Sequence, residues 1–230
     1  MLQSGQLLMQ YFNTNCAVFE KDGYSIFTLA DIENEKFLKS ELVKIYPNAG
    51  FCAEESGYSQ AQSDWMWVID PLDGTKNFVK GIPHFCSMVA LTYKNRVMVS
   101  AIYLPAMQQF YYAEQGKGLW LNGKKIEFVD RLIQQKFAII DCNAQIKLKL
   151  KENNLQISRR YFGSAGIDAV YLATGAIDLI AFQDIAWWDV AAGILIIQES
   201  RGLVCNYTKS LKKDGYGTLI AGNKIFFEDF

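Results

Sequence analysis

The run Trp65-Met66-Trp67-Val68-Ile69-Asp70-Pro71-Leu72-Asp73-Gly74-Thr75 decides how this chain is read. It opens on bulky apolar residues, the pattern of a buried strand. Asp70 and Asp73 then set carboxylates three residues apart at the strand's end, and Gly74-Thr75 follows where a helix or tight turn can begin. Hard divalent cations take oxygen ligands from rigid positions. Phosphate groups sit against backbone N–H groups at a helix start. One turn of chain here offers both. Taken alone, Asp-Pro followed by Asp-Gly is ordinary turn chemistry, so the reading depends on what stands on either side.

On the N-terminal side, Asp31–Tyr46 reads as a helix: Asp31 can cap it, Leu38, Leu42, Ile45 and Tyr46 recur at helical spacing, and Pro47 stops it. Phe51–Ala53 is a short strand that delivers Glu54-Glu55. On the C-terminal side, Phe85 to Phe128 has the β-branched and aromatic character of antiparallel sheet, with hairpin tips at Lys94-Asn95 and Asn122-Gly123. After Arg131 strands and helices alternate. Phe137–Ile140, Asp178–Phe182, Leu203–Cys205 and Thr218–Ala221 read as strands. Ser164–Thr174 reads as a helix capped by Ser164 and closed by Gly175. Asp189–Ser200 reads as a helix apolar nearly all round, hence buried between layers. These patterns give an α+β half over residues 1–131 and an α/β half over 132–230, divided near 130–136 and sharing one core.

Composition bounds the function. The chain has 230 residues, half of them hydrophobic, and a formal charge of −1. That argues against a surface built for bare nucleic acid or an anionic membrane. Five scattered cysteines without C-x-x-C spacing favour neither a disulfide framework nor a thiolate zinc site, and suit a reducing cytoplasm. His84 is the single histidine, so a Ser-His-Asp triad is a poor fit; it reads as a packing or loop residue. The start does not resemble a signal peptide. The apolar stretch Ala169–Ile197 is interrupted by Asp178, Asp184 and Asp189. Lys147, Lys149 and Lys151 read as a solvated face.

Four acids, Glu54, Asp70, Asp73 and Asp189, are candidates for one site. Each has a plainer reading: a turn for Asp70 and Asp73, a solvated loop for Glu54, a helix cap for Asp189. Their combination resembles the inositol monophosphatase family of magnesium-dependent, lithium-sensitive phosphatases. The resemblance is carried by Trp67-Val68-Ile69-Asp70-Pro71-Leu72-Asp73-Gly74-Thr75-Lys76-Asn77-Phe78 and by Trp188-Asp189-Val190-Ala191-Ala192-Gly193 with Glu199-Ser200-Arg201-Gly202. Ala53-Glu54-Glu55-Ser56, Thr28-x-x-Asp31 and Arg160-x-x-Gly163-Ser164-Ala165 complete it in family order.

The resemblance implies a layered αβαβα sandwich and a homodimer. It implies hydrolysis of a small phosphate monoester, inositol monophosphatase-like, with a pair or trio of magnesium ions. Glu54, Asp70 and the Leu72 carbonyl would hold the first ion, and Asp70, Asp73 and Asp189 the second. Thr75 paired with Asp31 would orient the attacking water. Gly74 and Thr75 would cradle phosphate, and Gly163, Ser164 and Ala165 would line the alcohol side. Lys21 matches, loosely, a lysine near the site. The chemistry is coherent: phosphate dianions repel hydroxide, so cations must screen charge and activate water, and all-oxygen ligands favour magnesium over zinc.

Two departures from the family stand out. Members begin with a longer first helix ahead of the Gly5 region. Inositol-phosphate-selective members carry a Glu where this chain has Phe182, seven residues before Asp189; Phe182 cannot bond substrate hydroxyls. Histidinol phosphate, sugar bisphosphates and nucleotide 3′-phosphates are therefore alternative substrates. A regulatory binding protein acting with the transcription or ribosome machinery is the reading from another class.

Overall fold

The computed structural model describes residues 1–21, 25–59, 62–127, 137–142, 156–200, 203–210, 215–224 and 227. The expected boundary near 130–136, the lysines at 147–151 and Arg201-Gly202 lie outside them.

The first layer is helical, formed by α1 (Leu2–Tyr11) and α2 (Leu29–Ile45). α2 starts on a reciprocal cap: Thr28 Oγ1 accepts the Ala30 N–H at 3.1 Å, while Asp31 Oδ2 accepts the Thr28 N–H at 2.7 Å. The sequence reading put Asp31 at the cap. Thr28 holds that position instead, because the extended hairpin β1 (Val18–Lys21) and β2 (Ser25–Thr28) runs straight into the helix.

Under these helices lies an eight-stranded sheet, ordered β10-β9-β8-β7-β6-β5-β3-β4. Its strands are β3 (Gly50–Ala53), β4 (Gly57–Ser59), β5 (Trp65–Asp73), β6 (Cys86–Tyr93), β7 (Arg96–Leu104), β8 (Gln109–Glu114), β9 (Gly118–Leu121) and β10 (Lys124–Ile126). Only β3 and β5 pair in parallel. The five-stranded second sheet runs β12-β11-β13-β15-β14. It comprises β11 (Phe137–Cys142), β12 (Gln156–Arg160), β13 (Leu179–Ala186), β14 (Leu203–Lys209) and β15 (Tyr216–Asn223). Between β5 and β6 comes the single-turn helix α3 (Thr75–Val79).

The layer between the sheets is α4 (Ala165–Ala173) and α5 (Trp187–Ser200). α5 explains its own all-round apolar character. Ala191, Ala192, Leu195 and Ile196 pack with Val68, Met88 and Ile102 of the first sheet. Val190, Ile194 and Ile197 pack with Ile180 and Leu219 of the second. The described residues thus build helix, sheet, helix and sheet in the order of the expected αβαβα sandwich. All five cysteines are free thiols. Among the described residues, no helix is long and apolar enough to cross a membrane.

Candidate metal and phosphate site

Parallel pairing places the acids. Ala53 of β3 lies opposite Ile69 of β5, so Glu54 and Asp70 leave the sheet at one edge; the Glu54 N–H donates to Ile69 O at 3.2 Å. β5 continues past the expected end at Ile69, but its ladder with β6 shifts between Asp70 and Asp73. Pro71 has no N–H to give that ladder, and Asp70 Oδ1 accepts the Leu72 N–H at 3.0 Å instead. The chain then turns at Gly74, whose φ is +86° and whose added Cβ would lie 2.8 Å from His84 O. Both the left-handed backbone and that approach require glycine.

Asp73 reaches into the second half. Its Oδ2 accepts from Ser164 Oγ at 2.6 Å, Gly166 N at 2.7 Å and Cys86 Sγ at 3.5 Å. Ser164 is the cap of α4, as the sequence suggested. Asn77 Nδ2 donates to His84 O and Phe162 O, both at 2.7 Å, joining the loop after α3 to the loop before α4. Thr75 Oγ1 stands 3.0 Å from Leu72 O and 3.3 Å from Asp31 Oδ1. Asp189 is the third residue of α5, not its first, and its carboxylate accepts the Ala186 N–H. It is therefore not the N-cap weighed from sequence but a third-position acid bonding back to the residue before the helix, and it stands beside the other acids.

The electrostatics identify one neighbourhood. Burial pushes the Asp70 carboxyl well above its ordinary range, and Glu54, Asp73 and Asp189 push it further. Asp189 is raised by burial, then by Glu54 and Asp73. Glu54 is pushed up to about 7 by burial, against the pull of Lys21. Asp31 is pushed up to about 6 by burial, against hydrogen bonds from Thr28. Asp73 is raised by burial although its donors oppose this. Lys21 Nζ lies 3.2 Å from Glu54 Oε1 and 2.5 Å from Glu55 Oε1. Burial alone would lower its ammonium, but Glu54 and Glu55 raise it overall.

The donor set is hard, anionic and under-compensated, as a divalent cation requires. As the side chains stand, no group of three or more His, Cys, Asp or Glu among the described residues is gathered tightly enough to grip a metal ion. The acids share a neighbourhood but point at separate donors: Glu54 at Lys21, Asp70 at Leu72, Asp73 at Ser164 and Gly166. Mutual repulsion favours that spread, and a cation would draw them in. His84 stacks edge-on against Phe162 and Tyr171.

A cavity of about 550 Å³ opens beside Glu54 and Asp189 and is lined also by Lys21, Gly163, Ser164, Ala165 and Phe182. The sequence-derived alcohol-side residues therefore meet the acidic end in one space. Asp141 and Asp168 line it too and went unnoticed in the sequence. Asp168 follows Ser164 at helical i,i+4 spacing, a usable signal; Asp141, at the end of an apolar strand, offered none.

Comparison with known proteins identifies the family and the fold. A model of the inositol monophosphatase family matches residues 1–227. A Pseudomonas aeruginosa protein named Nus factor SuhB is 33% identical over 230 residues, covering 92% of this chain and 83% of that protein. A Thermotoga maritima fructose-1,6-bisphosphatase/inositol-1-monophosphatase is 30% identical, covering 89% and 80%. The crystal structure of the extragenic suppressor protein suhB from Bartonella henselae superposes with TM-score 0.83 at 28% identity, covering 97% and 91%. An IMPase/NADP phosphatase complexed with Mg2+ and phosphate superposes with TM-score 0.77 at 25% identity, covering 98% and 88%.

Proposed function

The chain belongs to the inositol monophosphatase family, and on that premise we propose that it is a magnesium-dependent hydrolase of small phosphate monoesters. The observation that carries this reading is the shared neighbourhood of Glu54, Asp70, Asp73 and Asp189, one buried acid and three half-buried ones from the end of β3, from β5 and from α5, in which neighbouring carboxylates raise the proton affinity of Asp70 and Asp189. Glu54, Asp70, the Leu72 carbonyl, Asp73 and Asp189 would hold magnesium. Bound there, the metal supplies the positive charge that screens a phosphate dianion and acidifies water.

The other residues divide the remaining work. Gly74 and Thr75 present backbone N–H groups to phosphate at the start of α3. Thr75 has one hydroxyl proton, which can go to Asp31 or to Leu72 O. Its lone pairs then face the hydrolytic water and orient it. Asp31, with a proton affinity raised to about 6, is suited to take a proton by way of Thr75. Gly163, Ser164, Ala165 and Phe182 bound the alcohol side. Phe182 gives that side an apolar face, so a polyol such as inositol 1-phosphate finds no acceptor at that position.

The test is a panel of inositol 1-phosphate, histidinol phosphate, a sugar bisphosphate and a nucleotide 3′-phosphate, with magnesium and with chelator. Turnover should vanish in chelator and return with magnesium, with calcium a poor substitute because it relaxes the octahedral geometry. Full turnover in chelator would sink the proposal. The relative named Nus factor SuhB supports a second reading, a partner of the transcription machinery; failure to hydrolyse any ester on the panel would favour it. We also propose that two copies pair, and light scattering that returns a mass near 26.1 kDa would refute that.

A further inference from the structure

Two adjacent residues of α2 hold the strand ends that carry Glu54 and Asp70. Asn34 and Glu35 are 0% and 4% exposed. Asn34 Nδ2 donates to Pro71 O at 2.6 Å and to Ser87 Oγ at 3.2 Å. Pro71 O and the Leu72 N–H belong to one planar peptide group, and that N–H donates to Asp70 Oδ1 at 3.0 Å. Asn34 therefore grips one end of the plane and the Asp70 carboxylate the other. The β5–β6 ladder is interrupted between Asp70 and Asp73, so regular strand pairing does not set this peptide's tilt. Asn34 Oδ1 is buried without a partner among the described residues, a cost that leucine in its place would not carry; the Nδ2 bonds are what asparagine adds. Glu35 does the same for the neighbouring strand end. Its Oε2 accepts the Glu55 N–H at 2.8 Å, and its Oε1 accepts from Ser56 Oγ at 2.5 Å and stands 3.3 Å from Lys39 Nζ. The Glu55 N–H shares its peptide plane with the Glu54 carbonyl, while the Glu54 N–H donates to Ile69 O. Glu54 is thus fixed by β5 on one side and by Glu35 on the other. Asp31, which meets Thr75, precedes this pair by one turn on the same helical face.

We propose that Asn34 and Glu35 are positioning residues for the cation site, through which α2 sets the spacing and aim of Glu54 and Asp70 by way of the Glu54–Glu55 and Pro71–Leu72 peptide groups. The inference rests on the magnesium reading for the identity of the ion. Carboxylates that repel one another relax apart when nothing holds their backbone. Two peptide groups anchored to one helix limit that relaxation, so less order has to be gained when a cation draws the acids together. Asp73 is anchored separately, by Ser164 and Gly166 at the start of α4.

Calorimetry of magnesium binding, paired with urea unfolding of the metal-free protein, tests this. Asn34→Leu keeps the volume and removes the donor; Glu35→Leu removes the acceptors. Each should weaken magnesium binding about 10- to 100-fold, the range for groups that orient metal ligands. Glu35→Gln loses the same charge but keeps an acceptor for the Glu55 N–H, so it should recover most of that loss. Leu42→Ala, two turns further along α2 in its apolar contact with the sheet, should lower the urea midpoint and leave magnesium affinity as it is. Unchanged affinity in either folded leucine variant, a glutamine variant no better than leucine at position 35, or an equal loss in Leu42→Ala would overturn the proposal. Where a leucine variant does not fold, Asn34→Ala or Glu35→Ala takes its place under the same outcomes. Turnover of the ester panel separates the positioning role from the hydrolase reading. Weakened magnesium binding in the variants of a protein that hydrolyses no ester supports the role and refutes the hydrolase. Metal-dependent turnover with unchanged affinity in the variants refutes the role and keeps the hydrolase. Wild-type protein that binds no magnesium refutes both.

Discussion

Asp73 serves two purposes, and its variants can separate them. Its carboxylate is part of the acidic neighbourhood and also ties Ser164 and Gly166 to the first sheet. Asp73→Asn keeps the shape and one acceptor but loses the charge, so the protein should fold while kcat drops about 10²-fold or more. Thr75→Ala should slow turnover while substrate still binds, because only the orientation of water is lost. Wild-type kcat in either folded variant would remove the assigned role. A second prediction concerns pH. Asp31 and Glu54 have folded values of about 6 and 7, against 3.8 and 4.5 for the free groups. Between those values the folded chain binds more protons than the unfolded one, so their contribution to stability falls as pH rises. Magnesium favours the ionised forms and offsets that loss. Its effect on Tm should therefore grow from about pH 5 to about pH 8, and scanning calorimetry showing a constant effect would exclude these groups. At this scale the sequence was informative wherever chemistry and spacing coincided, as in Asp70-x-x-Asp73. It matched Lys21 to the site only loosely, through the resemblance, because nothing local ties a lysine on the β1–β2 hairpin to Glu54. It was silent on Asp141, because only the fold brings that position to the cavity.

Elements were legible where a local rule fixes the backbone. Lys94 and Asn95 have φ of +48° and +64°, and Asn122 and Gly123 have +48° and +81°, as two-residue hairpin tips require. Ser164 caps α4 through the Ile167 N–H. What escaped notice lacked a hydrophobic period. β12 is an edge strand of Gln, Ile, Ser and Arg, mostly exposed, so nothing in its pattern separates it from a loop. β1 shows Val18 and Phe19 to solvent and has no alternation to read. β5 runs past its expected end at Ile69 because a ladder irregularity between Asp70 and Asp73 absorbs Pro71. Packing between elements was equally hidden. A Cβ on Gly166 would lie 2.5 Å from Cys86 Sγ and Met88 Sδ and 3.1 Å from Asp73 Oδ2. Glycine there lets α4 sit on β6. Gly166→Ala should destabilise the fold by about 1–3 kcal/mol, the usual range for overpacking, and weaken magnesium binding by displacing Asp73. A urea midpoint and metal affinity both unchanged would refute this.

Across the whole molecule, the halves inferred from sequence share a core, and α5 is the reason. One cluster joins Val68, Met88 and Ile102 of the first sheet to Ile167, Ala191 and Leu195 of the interior helices. Neither sheet can cover its inner face without those helices. Thermal unfolding followed by near- and far-ultraviolet circular dichroism should therefore give one coincident transition despite the chain's length; two separated transitions would show that the halves are stable alone. The layer order came from the resemblance, and the pattern of α5 added only that the helix is buried; which sheet each of its faces serves is a property of three dimensions. The helix that spans the two cores also carries Asp189 in its first turn. If one sheet slides over the other, the helix must roll, and Asp189 swings away from Asp70. Stiffness of the sandwich and aim of the acid are thus one mechanical quantity, and a void cut at Leu195, further along the same helix than Asp189, is an injury to catalysis as well as to packing.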